Sequence, residues 1–304
     1  MNLASIARAV RAIHPRAMID ALLTYPRFLG TIKPELLGKT EDELHAHLTA
    51  LSAAWWPRHL VVPVGKTVVV VAPHPDDETI GAGGFLLRHR DLCTIHIINI
   101  FSGDGGGQLP GRPWEPGESY RAELVARRKE ELQQAAVRLH VATVSHLELT
   151  DGSRGTSADV TRLRLLLDEL DPDVVLIPWF LDAQPDHRTA NVLYASASPE
   201  RNCLVIAYEV WSMLQPNATM DITDVLAEKL QLIDLYGTQT ETVNYGAYAD
   251  GLAKVRAFQH PVQGTRAGAA EAFIALPSRD YCDFVLGLYG PADRPTASAN
   301  RLLK

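Results

Sequence analysis

The sequence predicts an α/β protein: a Rossmann-like, three-layer α/β/α sandwich around a mostly parallel sheet, preceded by a helical extension. Two observations carry that expectation. Short, β-branched apolar runs recur from residue 67 onward, and stretches of helical periodicity alternate with them. Such alternation means βαβ units, whose right-handed crossovers place helices on both faces of a sheet.

Residues 1 to about 62 carry helical periodicity broken by Pro15, Pro26, Pro34 and Pro57. Leu3, Ile6, Val10 and Ile13 fall at helical spacing, flanked by Arg8 and Arg11; a helix packed on the protein body is preferred to one lying on a membrane surface. Thr40 with Glu43 three residues later marks a second helix start, continued by Leu44, Leu48 and Leu51. The stretch is too short to bury a core alone, so it reads as an extension packed on one domain of residues 63–304, docked through Trp55-Trp56. Val68–Ala72 is apolar on both faces, as a strand in a covered parallel sheet should be. Further strands are expected at Thr94–Phe101, Val144–Leu149, Val174–Ile177 and Leu204–Tyr208. Helices are expected between them at Ile80–His89, Tyr120–Leu139, Thr161–Leu170 and His187–Ala197. After Tyr208 the pattern turns irregular, with helices near Val225–Tyr236 and Tyr248–Phe258.

Composition bounds the function. The chain has 304 residues, 46% hydrophobic and 21% charged, which is ordinary for a globular domain. A net charge of −7 and no Lys/Arg block argue against nucleic acid as a partner. No apolar run is long enough for a membrane span, and the N-terminus lacks a signal peptide's apolar core. Cys93, Cys203 and Cys282 follow no metal or redox spacing, and Cys93 and Cys203 sit in or beside apolar runs. They read as reduced thiols, and the expected compartment is cytoplasmic.

The chemistry concentrates where strands end. In open α/β sheets, ligands bind beyond the carboxyl ends of the strands. Pro73-His74-Pro75-Asp76-Asp77-Glu78 follows the first strand, and His74 and Asp77 are competent metal ligands. Asp76 between them is free to reach a water. A third ligand is expected from another strand end, and His187 occupies that position after Val174–Ile177. On residue type alone a second reading stands beside this one: a loop histidine, with Asp76 or Asp77 capping the next helix.

Pro73–Glu78, with Gly81 and Gly83-Gly84 behind it, resembles the first motif of the PIG-L/LmbE-like deacetylases. Pro185-Asp186-His187-Arg188 is similar to that family's second metal motif. Weaker matches follow in order: Arg128–Glu131, Leu149–Gly152, Glu228-Lys229 with Tyr236 and Gln239, and Ala270–Phe273. The resemblance implies Zn2+ held by His74, Asp77 and His187, with Asp76 as general base and Asp186 as one partner that orients His187. It places Asp104, Arg128 and Asp151 around the substrate, an N-acetylated amino sugar or its conjugate. One position departs: Gln184 stands where the family usually has histidine, so a hydrogen-bond donor replaces a titrating group. Gln184 is therefore expected to contact substrate, leaving proton transfer to Asp76.

The expected function is hydrolysis of an N-acyl group. The alternatives are a metal-dependent sugar-nucleotide transferase using the Asp76-Asp77 pair, and a catalytically degenerate carbohydrate- or metal-binding protein. Trp114, Tyr120 and Trp179 are aromatics near loops, read chiefly as packing residues. The extension and the chain after about residue 240 leave room for a homo-oligomer.

Overall fold

The computed structural model describes residues 57–198, 200–259 and 268–292. The helical extension, up to residue 56, and the Trp55-Trp56 docking lie outside the described residues. Just before residue 62 the chain forms a two-residue strand, β1 (Arg58–His59).

The remaining elements run in order. β2 (Thr67–Ala72) leads to α1 (Asp77–His89), β3 (Thr94–Phe101) to α2 (Glu118–Arg138), and β4 (Thr143–Leu149) to α3 (Ser157–Leu170). β5 (Val174–Pro178) precedes α4 (Pro185–Ala197), followed by β6 (Leu204–Tyr208) and β7 (Ala218–Asp221). The chain then forms α5 (Leu226–Ile233), α6 (Gly237–Thr240), α7 (Tyr245–Gln259), β8 (Ala270–Pro277) and α8 (Ser278–Tyr289). One eight-stranded sheet has the order β1-β7-β8-β6-β5-β2-β3-β4. All pairings are parallel except those of β8, which runs antiparallel to β6 and β7.

Strand β2 shows why the fold reads so clearly. Val68, Val70 and Ala72 enter the core on one face, while Val69 and Val71 enter the core on the other. Helices α1, α2, α5 and α7 cover the first face; α3, α4 and α8 cover the second. Burying one such valine contributes about 1.5–3 kcal/mol, so a strand with two apolar faces is held strongly in a central place.

Three elements differ from their sequence pattern for identifiable reasons. β7 is only Ala-Thr-Met-Asp, and β8 holds three alanines and Glu271, so neither carries a run of β-branched residues; β8 is held by antiparallel pairing with β6 and β7. Helix α1 is broken at Ala82 (φ −132°, ψ 16°), freeing the N–H groups of Gly84 and Phe85. The Glu271 carboxylate, carried on β8, accepts both at 2.7 and 2.8 Å and pairs with Lys229 Nζ at 2.7 Å. Gly81, in the same helix, has no room for a side chain: a Cβ there would lie 2.2 Å from Tyr208 Cδ2.

This topology creates one crevice that matters. From β2 the chain proceeds outward to β3 and β4, then returns to place β5 on the other side of β2. The strand order reverses between β2 and β5, and ligands of doubly wound sheets bind at such a reversal. The loops after β2 and β5 carry the residues singled out above.

Candidate metal centre

The loop after β2 is fixed before any side chain is considered. Pro73 O accepts Phe101 N at 2.8 Å and Asn99 Nδ2 at 3.2 Å, tying the loop to β3. The chain then turns sharply through Asp76, whose φ of 135° lies where side chains are rarely tolerated. Its N–H donates to Glu78 Oε2 at 3.1 Å, and buried Glu78 is held in turn by Thr79 Oγ1 and Tyr236 Oη. Asp76 occupies the N-cap position of α1 but makes no side-chain cap hydrogen bond, so its carboxylate is not committed to the helix end.

His74, Asp77 and His187 converge, with one ligand atom from each lying within 4.8 Å of the others. Asp77 Oδ2 is 3.2 Å from His74 Nδ1 and 3.1 Å from His187 Nε2. All three residues are buried. Neither ring nitrogen of His187 has a partner in hydrogen-bonding geometry, although carboxylate oxygens stand 3.1 and 3.4 Å away. A buried imidazole aimed past its neighbours, beside a second imidazole and a carboxylate, is what a cation's ligand set requires. Two nitrogens and one oxygen suit a tetrahedral ion that keeps a fourth position open.

The second nitrogen of each histidine faces a carboxylate. Asp186 Oδ2 lies 3.1 Å from His74 Nε2, and Asp182 Oδ1 lies 3.4 Å from His187 Nδ1. Such pairs fix ring orientation and raise ligand basicity. This corrects one expectation: Asp186 serves His74, and the carboxylate at His187 is Asp182. Sequence reading passed over Asp182, although it lies between a strand end and a candidate ligand. Asp182 is fully buried and accepts Gln184 N at 2.9 Å, Trp211 N at 2.9 Å and Ser212 N at 3.1 Å.

The electrostatics follow from this packing. Burial opposes protonation of both rings, but the adjoining carboxylates outweigh it and lift His74 to about 10 and His187 to about 9. Burial pushes Asp77 upward, and the two histidines overcome it and hold the carboxylate well below its ordinary value. Asp76 moves the other way, to about 8, through burial and the neighbouring Asp77 charge. Protons and a metal cation therefore compete for the same nitrogens.

The other sequence-predicted residues are arranged around this centre. Arg128 is buried, and its Nη2 lies 3.7 Å from Asp76 Oδ1. It donates to Gly103 O, Gly106 O and Pro75 O at 3.0, 3.1 and 3.2 Å, clamping the loops after β2 and β3 together. Arg128 therefore faces the loops and not solvent, although it lies in a charged run of α2. Asp151 Oδ1 accepts Gly103 N and its Oδ2 accepts Gly105 N; Asp104 Oδ1 accepts Ser102 Oγ and Asp151 N. These carboxylates knit the loops after β3 and β4, and Asp151 Oδ2 also stands 3.9 Å from His74 Nε2. Gln184 is the N-cap of α4: its Oε1 accepts Asp186 N, which commits the carbonyl end of the amide.

The fold and site together define the class: a doubly wound α/β protein with a candidate metal triad at its sheet reversal. Residues 69–198 match the model of the PIG-L family, described as GlcNAc-PI de-N-acetylase. Over 193 residues it is 28% identical to the diacetylchitobiose deacetylase of Thermococcus kodakarensis, covering 57% of this chain and 70% of that protein. Its fold is similar to that of N,N'-diacetylchitobiose deacetylase from Pyrococcus horikoshii, with TM-score 0.57, 22% identity, and 71% and 85% of the two chains covered. It is also similar to GalB, the 4-carboxy-2-hydroxymuconate hydratase of Pseudomonas putida, with TM-score 0.55, 22% identity, and 69% and 96% covered. Among the described residues, no helix is long and apolar enough to cross a membrane.

Proposed function

We propose that the chain is a zinc-dependent hydrolase that removes an N-acetyl, or other N-acyl, group from an amino sugar or its conjugate. The observation that carries this reading is the convergence of His74, Asp77 and His187 beside an uncapped, backbone-strained Asp76. The family and the deacetylase relative support the same chemistry and the sugar substrate.

His74, Asp77 and His187 hold the ion. When bound, zinc supplies Lewis acidity, favouring deprotonation of water and polarising the acyl carbonyl. Asp76 is the general base: its carboxylate takes the proton from the attacking water and returns it to the departing amine nitrogen. Arg128, 3.7 Å from Asp76 Oδ1, keeps that carboxylate in place and sets a positive charge against it. Asp186 and Asp182 hold the two imidazoles in register. Gln184 has no acid to offer and is occupied in capping α4, so both proton transfers rest with Asp76.

A transferase that binds metal and pyrophosphate would use oxygen ligands alone, which leaves the paired histidines without a task. A hydratase, like the similarly folded GalB, adds water to a carbon–carbon double bond and frees no amine. Screening N-acetylglucosamine conjugates for amine release with zinc present is therefore the decisive test. Release from at least one conjugate, lost in Asp76→Ala while zinc remains bound, is the expected result. Wild-type turnover by Asp76→Ala would remove Asp76 from the mechanism.

A further inference from the structure

Beyond β6 the chain presents an aromatic surface that the mechanism above does not use. Trp211 is 52% exposed, yet its loop is held from several sides. Trp211 N and Ser212 N both donate to Asp182 Oδ2, at 2.9 and 3.1 Å. Ser212 O accepts Trp179 Nε1 at 3.1 Å, and Val210 O accepts the Tyr248 hydroxyl. Tyr245, at the start of α7, meets the indole edge-on, with ring centroids 6.1 Å apart and an interplanar angle of 86°. An exposed apolar side chain is ordinary. One mounted rigidly at the mouth of a polar site has a more specific use.

Two links tie this surface to the candidate metal centre. Asp182 anchors the Trp211 backbone with one oxygen and faces His187 Nδ1 with the other. Tyr245 is half-buried, and its phenol is pushed upward by burial and then by the charges of Asp76 and Asp77. The aromatic pair is thus the next layer outward from the reacting residues. Leu181 and Met213, next in sequence to Asp182 and Ser212, are also about half exposed, at 47% and 50%.

We infer that Trp211, backed by Tyr245, is a stacking subsite for a sugar ring of the substrate. A pyranose ring has an apolar C–H face that fits an indole plane and hydroxyl edges that need partners, and such sites pair aromatic faces with a few polar groups. The nearby Asp76, Asp77 and Asp182 carboxylates favour a neutral ring over a phosphorylated one. This rests on the deacetylase reading for the ligand's identity, and it adds the residue that grips the ring.

The test uses the full-length, zinc-loaded protein and N,N'-diacetylchitobiose as the probe, followed by indole emission and calorimetry. Binding should change the wild-type emission, and the Trp211→Ala difference should account for that change. Affinity should weaken about tenfold or more in Trp211→Ala and in Trp211→Leu, which keeps apolar bulk without an aromatic face. Trp211→Phe should retain affinity within about threefold. Equal affinity across all four proteins, or no emission change on binding, overturns the subsite. Amine release with unchanged affinities defeats the subsite alone; sugar binding gripped by Trp211 without amine release defeats the deacetylase reading alone. No binding by the wild type counts against both.

Discussion

Asp182→Ala is the perturbation whose size can be worked most directly from the structure. The Asp182 carboxylate is fully buried, accepts three backbone N–H groups at 2.9–3.1 Å and stands 3.4 Å from His187 Nδ1. Each buried donor left without its acceptor costs about 1–3 kcal/mol. Some water will enter the space, so the summed loss for the metal-free protein is about 3–5 kcal/mol. At about 2–4 °C per kcal/mol for a domain of this size, Tm should fall by about 6–20 °C. The same change frees the His187 ring, and loss of such a supporting partner weakens metal affinity about 10–100-fold. Asp182→Asn keeps one acceptor oxygen and should show about half the stability loss. Thermal unfolding in chelator gives the first number, and competition against a chromogenic chelator gives the second. A Tm within about 2 °C of wild type, or a zinc Kd within about twofold, would refute the placement of Asp182 as the support of His187.

Three further predictions follow from other parts of the molecule. Asp76→Gly should abolish amine release while raising unfolding stability by about 1 kcal/mol or more, because glycine accepts the φ of 135° and a buried carboxylate beside Asp77 disappears; denaturant unfolding and a turnover assay read the two effects. Arg256 and Glu209 form a buried ion pair, with Arg256 also donating to Leu214 O at 2.7 Å. Arg256→Ala should therefore cost about 3–5 kcal/mol in chemical denaturation, and Arg256→Met with Glu209→Gln should recover part of it. Burial holds the His89 pKa below 6.5, so below that pH the unfolded chain binds the extra proton and stability falls as pH drops. His89→Gln should flatten that slope in unfolding measured from pH 7 downward.

How much of this was legible in the sequence depends on whether a feature is local. β2, β5 and β6 were legible because a strand buried on both faces is apolar along its length, as Val68–Val71 is, and β3 because Ile95, Ile97, Ile98, Ile100 and Phe101 outweigh its polar positions. The convergence of His74, Asp77 and His187 was legible because each follows a central strand and the reversal brings those strand ends together. The break in α1 was not legible: Glu271 satisfies Gly84 and Phe85 from 187 and 186 residues away. The order of the weak motif matches finds its physical reason there. Lys229 and Glu271 hold the break, Tyr236 holds Glu78, and Thr238, next to Gln239, binds Glu131. Arg128 sat in a charged helical run that reads as a solvated face, and only the packing of two loops shows it buried.

The central claim is that a metal ion held by His74, Asp77 and His187 enables hydrolysis with Asp76 as the base. The most direct measurement removes metal from the purified protein with chelator, restores zinc stepwise, and follows bound metal together with amine release from an N-acetylglucosamine conjugate. The account predicts that release rises in step with binding up to about one zinc per chain, and that His187→Ala neither binds nor turns over. Full activity in the metal-stripped protein, or tight stoichiometric zinc binding by His187→Ala, would contradict it.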